Sequence, residues 1–183
     1  MQEFLAGLEG PILLWIQENV RNDILTPIVT FITHLGDAGM IWIVLAILLL
    51  IFKKTRRTGA VMTISMILNA IATNVVLKRV LARTRPYEIV EGLQNIIEKQ
   101  SDFSFPSGHT ACAFAGAVVI YIHCPKKYGI PALVFAVLIA LSRLYVGVHF
   151  PTDVIGGAVV GTIAALLACW IEKKWSAYKS LEQ

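Results

Sequence analysis

The chain has 183 residues, of which 56% are apolar and only 15% are charged, and its net charge is +4. Its mean hydropathy is +0.69. Soluble domains of this length are about half apolar and about a quarter charged, so the composition predicts a membrane protein. The basic residues cluster at the ends of apolar runs, where membrane topology accounts for them, and we therefore expect no nucleic-acid partner.

Three cysteines, Cys112, Cys124 and Cys169, lack CxxC or zinc-type spacing, and two of them lie within apolar runs. A free thiol in such a run behaves as a small hydrophobic group, so we expect no functional disulfide. The first ten residues contain Glu3 and Glu9 but no lysine or arginine. This pattern lacks the positive region of a cleavable signal peptide, and we predict none.

Residues 1–20 have apolar side chains at helical spacing, interrupted at Gly10–Pro11, with glutamates on the other side. They predict an N-terminal interfacial amphipathic helix or, alternatively, a helix packed against the rest of the protein. Six apolar runs follow and predict an all-α fold, a bundle of six transmembrane helices in a single membrane-embedded domain over 1–183. The runs lie near 22–35, 38–52, 58–77, 107–123, 129–148 and 152–171. The first two are shorter than the roughly 17–25 residues that a straight span needs, and the first is alternatively a re-entrant segment.

One long polar connection, residues 78–106, separates the third run from the fourth, and long loops inside a tight bundle are usually functional or disordered. Ten basic residues lie on one predicted side of the membrane: Arg21, Lys53, Lys54, Arg56, Arg57, Lys126, Lys127, Lys173, Lys174 and Lys179. Six lie on the other side: Lys78, Arg79, Arg83, Arg85, Lys99 and Arg143. The positive-inside rule makes the first side cytoplasmic, so the loop, with its central part 87–105, is predicted to be extracytoplasmic.

The first segment with chemical potential ends the third run and contains Lys78 and, seven residues later, Arg85 followed by Pro86. If the helix continues to Arg85, the two cations lie on one stripe, because positions seven apart share a helix face. A planar guanidinium and a compact ammonium suit a doubly charged phosphate. Anchoring at the membrane interface is the alternative for both, and it is the preferred interpretation for Arg79 and Arg83, which lie on another face.

The second segment, Phe105–His109, comes immediately before the apolar run that starts at Thr110. Small residues at a helix start leave backbone N–H groups free, and the helix dipole adds partial positive charge there. Ser107 is placed either to cap the helix or to donate to a phosphate oxygen, and Gly108 lets the backbone approach an anion closely. His109 lies at the predicted membrane edge, where it is available for proton transfer. An ordinary helix cap with an interfacial histidine is the alternative.

The third segment contains Arg143, His149 and Asp153. An arginine at the end of an apolar span is costly unless it has a partner or faces a polar cavity. Pro151 suits the first position of the sixth helix, which places Asp153 in the first turn and His149 just before it. The carboxylate can then hold the imidazole Nδ1 and leave Nε2 free as a nucleophile or base. A carboxylate that only complements the helix dipole is the alternative.

Together the segments supply three cations, two histidines and a carboxylate at one predicted membrane face, without metal-ligand spacing. They resemble the three-part signature of the type 2 phosphatidic acid phosphatase superfamily, K-x6-RP, PSGH and SR-x5-H-x3-D. The matching positions are residues 78–86, 106–109 and 142–153, and all eleven specified residues fit. The resemblance extends from the third run to the start of the sixth.

This resemblance implies a membrane-embedded lipid phosphate phosphatase that needs no metal ion or other cofactor. In the pattern of the superfamily, His149 attacks phosphorus to form phosphohistidine, Asp153 orients His149, and His109 protonates the leaving group and then activates water. The residues that bind the phosphoryl oxygens are Lys78, Arg85, Ser107, Gly108 and Arg143. Phosphoryl transfer depends chiefly on positioning and charge stabilisation, which these groups can supply.

The short chain resembles the bacterial lipid phosphatases of this superfamily, which act on undecaprenyl diphosphate, phosphatidylglycerophosphate, phosphatidic acid or lipid A. We therefore expect a lipid phosphate partner in a bacterial inner (plasma) membrane, with undecaprenyl diphosphate or a diacylglycerol phosphate favoured. A soluble vanadium-dependent haloperoxidase of the same superfamily is disfavoured by the apolar runs. A transporter or lipid scramblase predicts polar residues deep inside several spans. Here most charges lie at span ends, and Asn69 and Asn74 are the main polar groups within the third run.

Overall fold

The computed structural model describes residues 2–179, except for the side chains of Gln2, Tyr178 and Lys179. Met1 and residues 180–183, which the predicted domain includes, lie outside this range. Over the described residues the structure consists of helices and connections without a β-strand. The helices are α1 (Gln2–Asn19), α2 (Leu25–Leu35), α3 (Met40–Ile51), α4 (Arg56–Ala70), α5 (Lys78–Leu81), α6 (Pro86–Ile89), α7 (Gly108–His123), α8 (Lys126–Tyr145) and α9 (Pro151–Lys179). A 3-10 turn (Asp37–Gly39) joins α2 to α3, and a π-helical segment (Ile71–Leu77) joins α4 to α5.

The first two predicted spans form a bent pair, α2 and α3, whose axes differ by 45°. The bend lies at Ala38 and Gly39, which adopt positive φ values of 50° and 68°. Three helical stretches among the described residues are long and apolar enough to cross a bilayer, or four if the bent pair counts as one span. At 16 residues α7 is a shorter apolar helix of about 24 Å. The prediction of six spans is therefore not confirmed, although the all-helical class is.

The centre of the protein is α7, which packs against α4, α8 and α9. Small residues allow a close approach to α9: a Cβ atom at Gly161 would overlap the carbonyl oxygen of Ala111. Close packing of this kind is typical of helices in membranes, where glycine and alanine bring backbones together. At the start of both helices the amide of Ser107 donates to the carbonyl of Asp153 at 3.0 Å. The packing thus places the second and third motif segments side by side.

Helix α1 runs unbroken through Pro11 and packs against the loop before α9. Leu13 is fully buried beside Phe150 and Leu93. Glu9, which the amphipathic pattern placed on the polar side, is only 6% exposed. The alternative of a helix packed against the bundle describes these contacts, and the assignment of Glu9 to a solvated face is wrong. The reason is a buried ion pair, described below.

Arg21 lies at the same end of the protein as the third motif segment. Its Nε donates to the carbonyl of Tyr145 at 2.9 Å, and its Nη1 donates to the carbonyl of Gln94 at 2.7 Å. The prediction that grouped Arg21 with the cytoplasmic lysines and arginines is therefore wrong, and the ten-to-six division becomes nine to seven. At the opposite end Arg57 pairs with Glu172, which connects the start of α4 to the end of α9.

Candidate active site

A cavity of about 580 Å³ opens where the three motif segments meet. The charged side chains and histidines that line it, among the described residues, are Lys78, Arg85, Asp102, His109, Arg143 and His149. Gly108 also lines the cavity, and a methyl group added to it would lie 3.6 Å from Lys78 Nζ. Residues far apart in sequence thus meet at one end of the helices, as the motif pattern predicts.

Lys78 and Arg85 reach the cavity by a path that differs from the predicted one. The helix ends at Leu81, because Ala82 adopts the left-handed conformation with φ 40°. Arg85 is extended, with ψ 150°, as expected for a residue before proline. The shared helix stripe, which required the helix to continue to Arg85, is therefore not formed, yet both cations line the cavity and are buried: Lys78 is 6% exposed and Arg85 is 3% exposed.

Asp102, in the long loop, lies between these two cations. One of its carboxylate oxygens pairs with Lys78, and the other accepts from Arg85 Nη2 at 2.5 Å. Arg85 Nε also donates to the main-chain carbonyl of Asp102 at 2.8 Å. Burial opposes ionisation of this carboxyl, but the contacts with Lys78 and Arg85 outweigh burial and lower the pKa of Asp102 to about 2. The Asp102 carboxylate thus forms ion pairs with the same two cations that an anionic ligand would need.

His149 is buried at the base of the cavity, 1% exposed. Its Nε2 lies 3.4 Å from Arg85 Nη1, and since arginine only donates, Nε2 is the ring nitrogen that carries the lone pair, beside a cation that also lines the cavity. On the other side of the ring, Nδ1 lies 3.4 Å from Ser104 Oγ and 3.6 Å from Asp153 Oδ2. Burial lowers the pKa of His149 to about 3, so the imidazole is neutral at physiological pH.

Asp153 is fully buried and is held on both carboxylate oxygens. Oδ2 accepts from Ser104 Oγ at 2.5 Å and from the amide of Phe150 at 2.8 Å. Oδ1 accepts from Arg83 Nη1 at 2.7 Å. These bonds fix the carboxylate beside Nδ1 of His149. Ser104 lies one residue before the second segment, and the motif pattern gave no signal for it.

Arg83 connects Asp153 to the N-terminal helix. Its Nη2 donates to Glu9 Oε2 at 2.5 Å, and its guanidinium carbon lies 4.1 Å from the centre of the Phe150 ring. Thr152 completes this cluster, because its amide donates to Glu9 Oε1 at 2.7 Å. The interpretation of Arg83 as an interfacial anchor is wrong, since the side chain is 6% exposed and paired with two carboxylates. The one sequence signal that could have indicated paired carboxylates is the high cost of burying an unpaired arginine near a membrane span.

Ser107 and His109 take different positions at the start of α7. Ser107 caps the helix: its Oγ accepts from the Thr110 amide at 3.5 Å and from Thr110 Oγ1 at 3.0 Å. It is fully buried and does not line the cavity, so the structure shows the capping contact that was one of its two expected roles. His109, in contrast, faces the cavity, and its Nε2 lies 2.8 Å from Asp37 Oδ1.

Arg143 supplies an unused donor. The side chain is 1% exposed, and its Nη1 donates to Thr33 Oγ1 at 2.6 Å. Its Nε has no hydrogen-bond partner within the described part of the protein. An unpaired buried donor is costly, and a ligand oxygen would satisfy it. Together with Lys78 and Arg85, this arginine makes the cavity a site for an anion carrying several oxygens.

A family model described as the PAP2 superfamily matches residues 58–177, well over half of the chain. The chain belongs to this superfamily, that of the type 2 phosphatidic acid phosphatases. It is similar to the undecaprenyl-diphosphatase of Sulfolobus acidocaldarius, with 40% identity over 143 residues, which are 78% of this chain and 68% of that protein. It is also similar to phosphatidylglycerophosphatase B of Bacillus subtilis, with 32% identity over 175 residues, 87% of this chain and 81% of the relative.

The fold is likewise shared with solved structures. The crystal structure of Aquifex aeolicus LpxE superimposes with a TM-score of 0.78 at 29% sequence identity, covering 88% of this chain and 94% of that chain. The similarity therefore includes the N-terminal half of the chain as well as the motif-bearing helices.

Proposed function

We propose that this protein is a phosphatase that hydrolyses the phosphate or diphosphate of a membrane lipid through a phosphohistidine at His149. One observation carries the proposal: Nε2 of His149 faces a cavity lined with cations, while Nδ1 faces the buried carboxylate of Asp153. An imidazole held in this way is a neutral nucleophile directed at a bound phosphorus atom. The named phosphatases among the relatives support the same reaction class.

In the first step Nε2 of His149 forms a bond to phosphorus, and the bond from phosphorus to the leaving oxygen breaks. His109 gives a proton to that oxygen, which departs as an alcohol or, from a diphosphate, as a lipid monophosphate. In the second step water attacks phosphorus, the P–N bond breaks, and His109 takes a proton from the water. Lys78, Arg85 and Arg143 stabilise the charge on the phosphoryl oxygens, aided by the backbone at Gly108, while Ser107 holds the start of α7 in place as its cap.

We propose that the reaction needs no metal ion, because cations of the protein already occupy the positions around the anion. A divalent ion in this cavity would be repelled by Lys78, Arg85 and Arg143. Activity of the purified protein should therefore be unchanged by excess EDTA, measured as phosphate release from a lipid phosphate in detergent. Loss of activity with EDTA and its return with Mg²⁺ would refute this part of the proposal.

A lipid substrate is supported by the shape of the cavity. From the cationic end it continues between α3 and α4, where apolar side chains line it: Ile43, Ala46, Ile47, Leu50, Met66, Ile67 and Ala70. A hydrocarbon chain fits an apolar groove of this kind, while the head group meets the cations. We propose an undecaprenyl diphosphate, phosphatidylglycerophosphate or phosphatidic acid type of substrate.

We propose that the site faces the extracytoplasmic side of the plasma membrane. Seven basic residues lie at the site end. Four of them are buried in polar contacts within the protein, which explain their presence without reference to topology: Lys78, Arg83, Arg85 and Arg143. The comparison of the two ends is then between Arg21, Arg79 and Lys99 at the site end and nine basic residues at the other end. The charge asymmetry thus favours a cytoplasmic location for the end opposite the site.

The test is phosphate release from a panel of detergent-solubilised substrates: undecaprenyl diphosphate, phosphatidylglycerophosphate, phosphatidic acid and, as a water-soluble comparison, glucose 6-phosphate. We expect turnover of at least one lipid and negligible turnover of the sugar phosphate. Hydrolysis of the sugar phosphate alone would refute the lipid assignment. Absence of hydrolysis of every lipid, with the His149→Ala variant behaving identically to the unaltered protein, would refute the phosphatase.

Asp102→Asn should tighten the binding of inorganic phosphate. Phosphate must displace the Asp102 carboxylate from Lys78 and Arg85, so only the fraction of molecules with free cations binds it. The low pKa of Asp102 keeps this competition present at every pH above about 3. We expect the inhibition constant for inorganic phosphate to fall severalfold, up to about tenfold. Glu98→Gln, an exposed carboxylate of the same loop, is the matched control and should leave it unchanged. An unaltered or larger constant for Asp102→Asn would contradict the competition.

A further inference from the structure

A second carboxylate–histidine pair involves His109, which lines the same cavity as His149. Nε2 of His109 is 2.8 Å from Oδ1 of Asp37, and Oδ2 of Asp37 is 2.8 Å from Nδ1 of His34. Asp37 begins the 3-10 turn between α2 and α3, 72 positions before His109 in the chain. The bend between these two helices therefore has a chemical as well as a structural result: it brings a carboxylate to His109.

The exposed fraction of the side chains increases from His109 through Asp37 to His34. The side chain of His109 is 15% exposed, that of Asp37 is 49% exposed, and that of His34 is 56% exposed. The ring of His109 is also held sterically, since a Cβ atom at Gly36 would lie 2.8 Å from its Cδ2. A glycine at this position lets the ring lie flat against the turn with Nε2 directed at Asp37. The other ring nitrogen, Nδ1, is thereby left for the cavity.

The charges around His109 explain why a carboxylate is needed. Burial disfavours a positive charge on this imidazole, and so do Arg143 from α8 and Lys78 from α5, which line the same cavity. His34 from α2 lies behind Asp37 rather than against His109. Asp37 from the 3-10 turn is the carboxylate in contact with the ring. A histidine in this setting acts as an acid only if an opposing charge stabilises its protonated form.

We propose that Asp37 is a positioning residue for the acid–base step: it holds Nε2–H of His109, so that Nδ1 delivers a proton to the leaving oxygen and later takes one from water. The inference rests on the proposed function, in which His109 is the proton donor. The two histidines then use opposite nitrogens, because His149 is held at Nδ1 and reacts at Nε2, whereas His109 is held at Nε2 and reacts at Nδ1. Nδ1–H of His34 donates to the second oxygen of Asp37 and orients the carboxylate.

These atoms account for every proton transferred in the two reaction steps. His109 begins as the imidazolium and loses the Nδ1 proton to the departing oxygen. It keeps the proton on Nε2, which remains hydrogen-bonded to the Asp37 carboxylate. The neutral ring then has a lone pair on Nδ1, which takes a proton from the attacking water as the P–N bond to His149 breaks. The imidazolium is restored, and phosphate leaves with the remaining hydrogen of the water on one oxygen.

The experiment compares Asp37→Asn with Asp23→Asn, an exposed aspartate just before α2, on two kinds of ester. One is an alkyl lipid phosphate, whose leaving oxygen needs a proton; the other is p-nitrophenyl phosphate, whose leaving group departs without one. We expect Asp37→Asn to reduce kcat for the lipid on the order of a hundredfold and to reduce kcat for the aryl ester less, because the aryl ester needs His109 only in the second step. The high-pH limb of the lipid profile should move to lower pH by about one unit, since an opposing charge has been removed.

A merely structural role for Asp37 would lower both rates in proportion and leave the pH profile in place, which would overturn the inference. Asp37→Ser is a second neutral variant and should give the same split between the two esters and the same shift. Asp23→Asn should match the unaltered protein on both esters. His109→Ala separates this inference from the proposed function: if His109→Ala is inactive on the lipid while Asp37→Asn is normal, only the role of Asp37 falls. Full activity of His109→Ala would refute the proposed acid itself.

Discussion

His149→Ala should lower phosphate release from a lipid phosphate by at least about a thousandfold while the helices remain folded. The variant removes the nitrogen that faces the cations of the cavity. Few strong polar contacts are lost with it, because the nearest polar neighbours of the ring are 3.4–3.6 Å away. Release of inorganic phosphate measures the rate, and thermal unfolding with size-exclusion chromatography in detergent measures the fold.

The same variant tests the covalent intermediate. Protein quenched during turnover of labelled substrate should carry a phosphoryl group that is labile to acid and stable to base, and His149→Ala should carry none. His123→Ala, at the far end of α7, is the control and should retain both activity and label. Near-normal phosphate release from His149→Ala would end the assignment of this residue as the nucleophile.

Arg83→Met should destabilise the protein by about 3 kcal/mol and also reduce turnover. The substitution leaves Glu9 and Asp153 as buried carboxylates without their shared cation. Breaking a buried pair from one side is strongly destabilising because the remaining charge is uncompensated. Turnover falls because Asp153 loses one of the bonds that fix it beside His149. Chemical denaturation in detergent gives the free energy of unfolding, and phosphate release gives the activity.

Two further variants make this prediction specific. Arg79→Met removes an exposed arginine from α5, one turn before Arg83, and should leave both stability and turnover nearly unchanged. Glu9→Gln combined with Arg83→Met should recover part of the lost stability, because one of the two uncompensated charges is then absent. Equal stability of Arg83→Met and Arg79→Met would show that the buried cluster contributes little.

The residues that meet in the cavity were predictable because their signals are local. Ser107 precedes a long apolar run and caps α7, and Pro151 is the first residue of α9, both as the sequence indicates. Each places a histidine at the edge of a helix start, and packing of α7 against α9 then brings His109 and His149 to the same end. The K-x6-RP spacing predicted that Lys78 and Arg85 lie in one site. They do so although the helix ends before Arg85, because Arg85 reaches the cavity from an extended segment.

The partners of these residues could not be predicted, because each is a single acidic residue that pairs across a long sequence separation. Glu9 meets Arg83 across 74 positions, and Asp37 meets His109 across 72. Composition and periodicity place such carboxylates on polar faces, and only tertiary packing reveals the cations beside them. The prediction of six spans is not confirmed, because positive φ values at Ala38 and Gly39 bend α2 and α3 at the junction between the first two predicted runs, and the pair can count as one span.

The attachment of α1 has a practical consequence for anyone who produces this protein. Through Glu9 and Arg83 the first helix is two contacts away from Asp153, although it lies at the very beginning of the chain. Trimming of the first dozen residues, or a fusion partner that displaces them, would remove Glu9 from Arg83 and leave Asp153 as its only carboxylate partner among the described residues beside the candidate active site. Tags belong at the other end, where α9 extends away from the pocket.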